Sequence, residues 1–213
     1  MKSRRRRLRG SYLYVIIDKE ILEKKNLISV AKSVVEGGVD IIQFRNKISE
    51  DSEFLREAKR LRIITQNKET LFIIDDRPDI AKAVDADGVH LGRGDLPIRI
   101  ARKMLGENRL IGFSCHSLKD ILLAERLDVD YISIGPVFKT PLKPKNRPVG
   151  LHLFRNLEER IKIPVFAVGG INFKNLKGIL KKGIKRIAIC RGILLKRNIT
   201  EVTKRIKSVL IGA

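Results

Sequence analysis

The sequence predicts an α/β fold, a closed (β/α)8 barrel of the TIM type in a single domain, on three observations. Eight short runs rich in Ile, Val, Phe and Tyr recur along the chain, helical apolar patterns separate most of them, and unusual polar residues follow nearly every run. Strands that are apolar on both faces suit a parallel sheet buried on both sides. Eight such units in 213 residues favour closure over an open doubly wound sheet.

The elements follow in order. Residues 1–10, with arginines at 4–7, read as a basic flexible tail ahead of a barrel domain spanning 11–213. Residues 12–17 form the first predicted strand, and Leu27, Val30, Ala31 and Val34 mark one face of a helix that ends at Gly37. Strand two is 40–44, and a second helical face carries Phe54, Leu55, Ala58 and Leu61. Strands three and four are 71–74 and 88–91, after which Pro97 suits a first helical turn. Strand five is 110–113; Ser117, with Asp120 three residues later, reads as the start of the next helix. Strand six, 131–134, runs into a long loop at 138–150 containing Pro141, Pro144 and Pro148. Strand seven is 164–168, and the helix with Leu176, Ile179 and Leu180 ends near Gly183. Strand eight is 186–189, and Val202, Ile206, Val209 and Leu210 complete the last helical face.

Composition narrows the function. The formal charge of +21, from 45 Lys and Arg against 24 Asp and Glu, calls for an anionic partner, either phosphorylated metabolites or nucleic acid. Beyond residues 4–7 much of the excess lies on predicted helix faces near the end of the chain, which argues against nucleic acid. No apolar run reaches the ~18 residues of a membrane span. Cys115 and Cys190 stand alone, with no zinc spacing or disulfide framework, so a cytoplasmic setting is expected. Oligomeric state stays open, a homo-oligomer included.

A barrel keeps its active site at the carboxyl ends of its strands, so the polar residues placed there matter most. Gln43, Arg45 and Lys47 follow strand two at a period of two, which turns them to one side, where they meet a polyphosphate or simply solvent. Asp75, Asp76 and Asp95 follow strands three and four. Carboxylates sharing a cleft call for a cation such as Mg2+, which takes one or two carboxylates plus substrate phosphate. Alternatively, Asp76 pairs with Arg77 or Arg45, and Asp95 caps the helix at Pro97. Ser114 and His116 follow strand five, and Thr140 and Lys143 follow strand six. Gly169 and Gly170 follow strand seven, and Arg191 and Gly192 follow strand eight, where barrels often hold a phosphate on backbone N–H groups. His90 and both cysteines read as barrel packing, and His152 as surface.

The stretches IIQFRNK, FIIDDRPDIAKAVDADGVHLGRGDLP, IGFSCHS, IGPVFKTPLKPK, IPVFAVGGI and IAICRGI, in that order over 40–193, resemble the thiamine phosphate synthases. Those barrel enzymes join a hydroxymethylpyrimidine diphosphate to a thiazole phosphate. The resemblance implies that Gln43 contacts the pyrimidine, that Arg45, Lys47 and Lys143 bind the diphosphate, and that Asp76 and Asp95 hold its Mg2+. Ser114 is implied beside the diphosphate and pyrimidine, while Thr140 and Gly170 hold the thiazole phosphate, with Asp75, Cys190 and Arg191 also at the substrates. Arg45, Lys47, Ser114 and Lys143 are the implied catalytic set.

Three positions depart from the family pattern. Asp75 stands where Asn is usual, Leu142 where a threonine is expected, and Arg191 where serine is usual. A guanidinium offers bidentate phosphate recognition in place of lost hydroxyls, or marks a different second substrate. Two rival readings remain. One is a thiazole tautomerase of the same superfamily using His116; the other is a non-catalytic RNA-binding barrel drawing on the arginines at 4–7.

Overall fold

The structure, a computed structural model, describes residues 3–141, 147–155, 157 and 161–212. Its strands are β1 (Leu13–Asp18), β2 (Ile41–Arg45), β3 (Leu71–Asp75), β4 (Gly88–Leu91), β5 (Leu110–Cys115), β6 (Tyr131–Ile134), β7 (Val165–Val168) and β8 (Ile187–Ile189). They form a closed parallel barrel in sequence order, β8 pairing back onto β1. Each lies within two residues of the predicted run. The largest difference, the extension of β5 to Cys115, places Ser114 on the strand, where it pairs in register with Ser133.

Alternation along the strands sorts side chains between two cores. Tyr14, Ile41, Leu71, Ile73, Leu110, Tyr131, Phe166 and Ala188 fill the barrel interior. Their neighbours, among them Val15, Ile42, Phe44, Phe72, Ile74 and Ile132, pack outward against the helices.

The helices are α1 (Arg4–Arg9), α2 (Lys19–Leu22), α3 (Leu27–Glu36), α4 (Asp51–Thr65), α5 (Pro78–Ala83), α6 (Ile98–Leu105), α7 (Leu118–Ala124), α8 (Phe173–Leu180), α9 (Arg191–Leu194) and α10 (Ile199–Ile211). Gly37 closes α3, and the Ser117 hydroxyl accepts from Asp120 N at the start of α7, as the sequence predicts. Pro97 sits one residue before α6, and Gly183 lies past the end of α8 in a left-handed turn with φ +79°. Among the described residues no helix is long and apolar enough to cross a membrane.

The N-terminal segment is not the flexible tail expected from its composition. Ser3 caps α1, whose Leu8 is buried and joins the interior core. Six helical residues are too few to be stable alone. Tertiary contacts hold them instead: Arg4 Nε and Arg7 Nη2 donate to Asp87 at 2.9 and 3.0 Å, and Arg5 Nε donates to Asp130 at 2.7 Å. Because these partners lie 80 or more residues away, no local pattern announces them.

Candidate functional site

A cavity of about 700 Å³ opens at the carboxyl ends of the strands. Of the residues chosen from sequence, Gln43, Arg45, Lys47, Asp75, Asp76, Asp95, Ser114, His116, Thr140, Gly170, Cys190 and Arg191 all line it. Lys143 and Leu142 fall outside the described residues. Exposed His152 lies elsewhere on the surface, as expected.

Strand register builds one side of the cavity. Asp18 and Arg45 are lateral neighbours on β1 and β2, and Asp75 neighbours His90 across β3 and β4. Arg45 Nη1 donates to buried Asp18 at 2.7 Å, and its Nε lies 3.5 Å from Asp75. The guanidinium is therefore held in place at the cavity wall by two carboxylates. Lys47 Nζ donates to Asp76. This corrects the alternative that paired Asp76 with Arg77 or Arg45: Arg77 instead bonds Asp79 and Asp51.

Asp76 has a left-handed backbone, φ 57°, and its N–H donates to His90 O at 2.9 Å. Asp tolerates that region better than most residues, at a cost of roughly 1 kcal/mol or more. Burial, followed by the adjacent Asp95 carboxylate, raises the Asp76 pKa. Asp95 does not cap α6. Its Oδ2 accepts from Gly92 N at 2.7 Å, within the turn after β4.

Asp75 is buried, and burial followed by the Asp76 charge pushes its pKa up to about 7, against the opposing pull of Arg45 and Lys47. The effect on stability has a definite sign. From about pH 4 to about pH 7 the folded chain keeps a proton that the unfolded chain has lost, so stability falls as pH rises and levels off above that window. Asp75→Asn removes this slope. Its stability relative to the parent is expected to rise by about 3 kcal/mol between about pH 5 and about pH 8, read from denaturant melts. An advantage of equal size at both pH values would contradict the assignment.

The opposite side is built from glycines and cations. Gly170 has φ +66°, and a Cβ there would lie 2.7 Å from Phe138 Cβ and 2.8 Å from Lys139 O. Only glycine fits this close approach to the loop carrying Thr140. Arg191, Lys174 and Lys196 line the cavity without an ion pair to a described carboxylate.

The sequence points to Cys190 both as packing and as a substrate neighbour; it lines the cavity, half-buried. Burial pushes its thiol up to about 12, so it is no thiolate nucleophile at neutral pH. Cys115 is buried in the outer core, and its thiol is likewise pushed up to about 12. His90 is more than packing: buried between strands, it contacts Ser114 Oγ at 3.0 Å and lines the cavity floor. Sequence reasoning also passed over Tyr14, Asp18, Lys139, Lys174 and Lys196. For Tyr14 and Asp18 the signal was present, since with Ile16 they lie on the cavity-lining side of β1 at a period of two.

The comparisons agree with this architecture. The family model described as thiamine monophosphate synthase matches residues 13–193. A thiamine-phosphate synthase from Persephonella marina is 39% identical over 198 residues, covering 93% of this chain and 95% of that protein. One from Prochlorococcus marinus (strain MIT 9313) is 39% identical over 91% of this chain, which spans 55% of that longer relative. Among solved structures, a thiamine phosphate pyrophosphorylase from Pyrococcus furiosus superposes with a TM-score of 0.86 at 36% identity, covering 98% of each chain. With a family model spanning most of the barrel and relatives this similar over nearly its whole length, the chain belongs to the thiamine monophosphate synthase family and is a transferase.

Proposed function

We propose that this cavity couples a hydroxymethylpyrimidine diphosphate to a thiazole phosphate, forming thiamine phosphate and releasing diphosphate. The observation that carries the reading is a single cavity lined both by carboxylate-anchored cations and by a glycine loop beside cations that have no ion pair among the described residues. In the first group Arg45 and Lys47 receive the diphosphate. In the second, Gly170, Thr140 and Arg191 receive the thiazole phosphate.

The reaction is dissociative. The bond from the pyrimidine methylene to the diphosphate oxygen breaks with its electron pair leaving on diphosphate, and the thiazole nitrogen lone pair forms the new C–N bond. No side chain serves as nucleophile or base. Arg45, held by Asp18 and Asp75, neutralises charge as it develops on the leaving oxygen, a role in which fixed dipoles and charges outperform mobile water. Ser114 lies beside the pyrimidine and diphosphate, and Gln43 at the pyrimidine, so the two rings meet in one orientation.

The residues present fit Mg2+. Among the described residues no cluster of three or more His, Cys, Asp or Glu is arranged to hold a metal, but Mg2+ on a diphosphate takes only one or two carboxylates. Asp95 is close enough for its charge to raise the Asp76 pKa, and the Lys47 ammonium on Asp76 marks where positive charge is stabilised. Asp76 and Asp95 would hold the ion, which when bound supplies further neutralisation of the leaving diphosphate.

Incubation of the purified chain with both precursors and Mg2+ tests the reading. Thiamine phosphate and diphosphate are expected in equal amounts, and a chelator stops their formation. Metal-independent isomerisation of the thiazole alone would replace the synthase reading with a tautomerase using His116. For the phosphate end, Arg191→Ser is expected to raise KM for the thiazole phosphate about tenfold or more, the worth of a charge-assisted hydrogen bond, while leaving KM for the pyrimidine diphosphate unchanged. Unchanged KM for both substrates would remove Arg191 from the phosphate site.

A further inference from the structure

A buried line of hydrogen bonds crosses the barrel beneath the cavity. Gln43 Nε2 donates to Asp75 Oδ1, and the Tyr14 hydroxyl donates to Gln43 Oε1 at 2.8 Å. The hydroxyls of Tyr14 and Tyr131 lie 3.0 Å apart, and Tyr131 Oη is 3.2 Å from His90 Nδ1. His90 Nε2 is 3.0 Å from Ser114 Oγ and 3.1 Å from Ser133 Oγ. Strand β5 makes room for the line, since a Cβ on Gly112 would stand 2.2 Å from Tyr131 Cζ and 2.4 Å from His90 Nδ1.

Every hydroxyl has one proton to give and a neutral imidazole has one N–H, so the first donor in such a line decides all the others. Only the NH2 side of an amide can face a carboxylate oxygen, so Asp75 orients Gln43 with Oε1 toward Tyr14. Tyr14 gives its proton to that oxygen and must accept from Tyr131. Tyr131, its proton given, must accept from the imidazole; in the neutral ring this leaves one Nε2 lone pair, which faces the hydroxyls of Ser114 and Ser133. Burial raises the pKa of both phenols, which keeps their protons in place.

We infer that Asp75 is a positioning residue that sets the direction of this line, holds His90 in its Nδ1–H tautomer, and turns the Ser114 hydroxyl toward His90, so that its oxygen faces the cavity as a hydrogen-bond acceptor. The last step rests on the proposed function, for an acceptor there suits an N–H donor on the pyrimidine ring. A reversed line would present the Ser114 proton instead and favour an acceptor on the ring.

Imidazole 15N resonances of the full chain, without substrate, read the tautomer directly. The chain has 3 histidines, so His116→Asn and His152→Asn assign the signals. His90 is expected with Nδ1 protonated and Nε2 bare; an Nε2–H form, an imidazolium or an even mixture would overturn the inference. Tyr131→Phe keeps the ring that packs edge-on to Phe166 and removes only the hydroxyl. It is expected to move His90 to the Nε2–H form and to raise KM for the pyrimidine diphosphate about tenfold with kcat within about twofold, the worth of one hydrogen bond. A moved tautomer with unchanged KM would sink the role given to Ser114. An Nδ1–H parent that makes no thiamine phosphate would fault the proposed reaction while upholding the hydrogen-bond line.

Discussion

Asp76→Asn and Asp95→Asn are each expected to lower kcat by about 10²- to 10³-fold or more while leaving the melting temperature within a few degrees of the parent, the scale of losing one preorganised electrostatic contact to a leaving group. Asparagine is the informative replacement. Residue 76 sits at φ 57°, which Asn tolerates and Ala does not, and an amide oxygen at residue 95 can still accept from Gly92 N. The Asp76 substitution also takes negative charge away from Asp75, so the fold is relieved of repulsion even as turnover fails. Rate loss with stability retained separates a metal-holding role from a structural one. Near-parental kcat in both variants, measured with saturating Mg2+, would discard the assignment of these carboxylates to the metal.

Asp87→Ala carries the largest expected effect on stability. Asp87 is 2% exposed, and its two oxygens take Arg4 Nε, Arg7 Nη2, Arg62 Nη1 and the backbone N–H of Phe72. Removing one partner of a buried ionic group leaves charge uncompensated, at a cost of about 3 to 5 kcal/mol. For a chain of this size that corresponds to a fall of about 10 °C in melting temperature. The loss should centre on α1, whose arginines become open to trypsin. Asp87→Asn, which keeps an acceptor for Phe72 N, should fall less. Unchanged melting and unchanged tryptic cleavage in Asp87→Ala would mean that α1 contributes nothing to closing the base of the barrel.

The fold was largely legible because a parallel barrel writes itself locally: each strand is an apolar run, and each is placed by its own residues. The candidate site was legible for a related reason. A residue just past a strand end is bound for the barrel mouth whatever its distant neighbours, which is why Gln43, Asp75, Asp95 and Arg191, far apart in sequence, share one cavity. What stayed hidden depends on partners. The arginines at 4–7 look like a solvated charge run until Asp87 and Asp130 are in place, and Leu8 is a lone apolar residue with no period. His90 reads as packing until Tyr131 and Ser114 come within hydrogen-bond distance of its two nitrogens. The pairing of Arg45 with Asp18 likewise needs the β1–β2 register, which fixes the two residues side by side.

A crystal structure of the chain with pyrimidine diphosphate and Mg2+ locates the leaving group and the metal together. The diphosphate is expected between Arg45 and Lys47 with the ion on Asp76 and Asp95, and the methylene carbon turned toward the end of the cavity where Gly170 and Arg191 lie. Diphosphate density at the Gly170 and Arg191 end, with Asp76 and Asp95 free of metal, would contradict it.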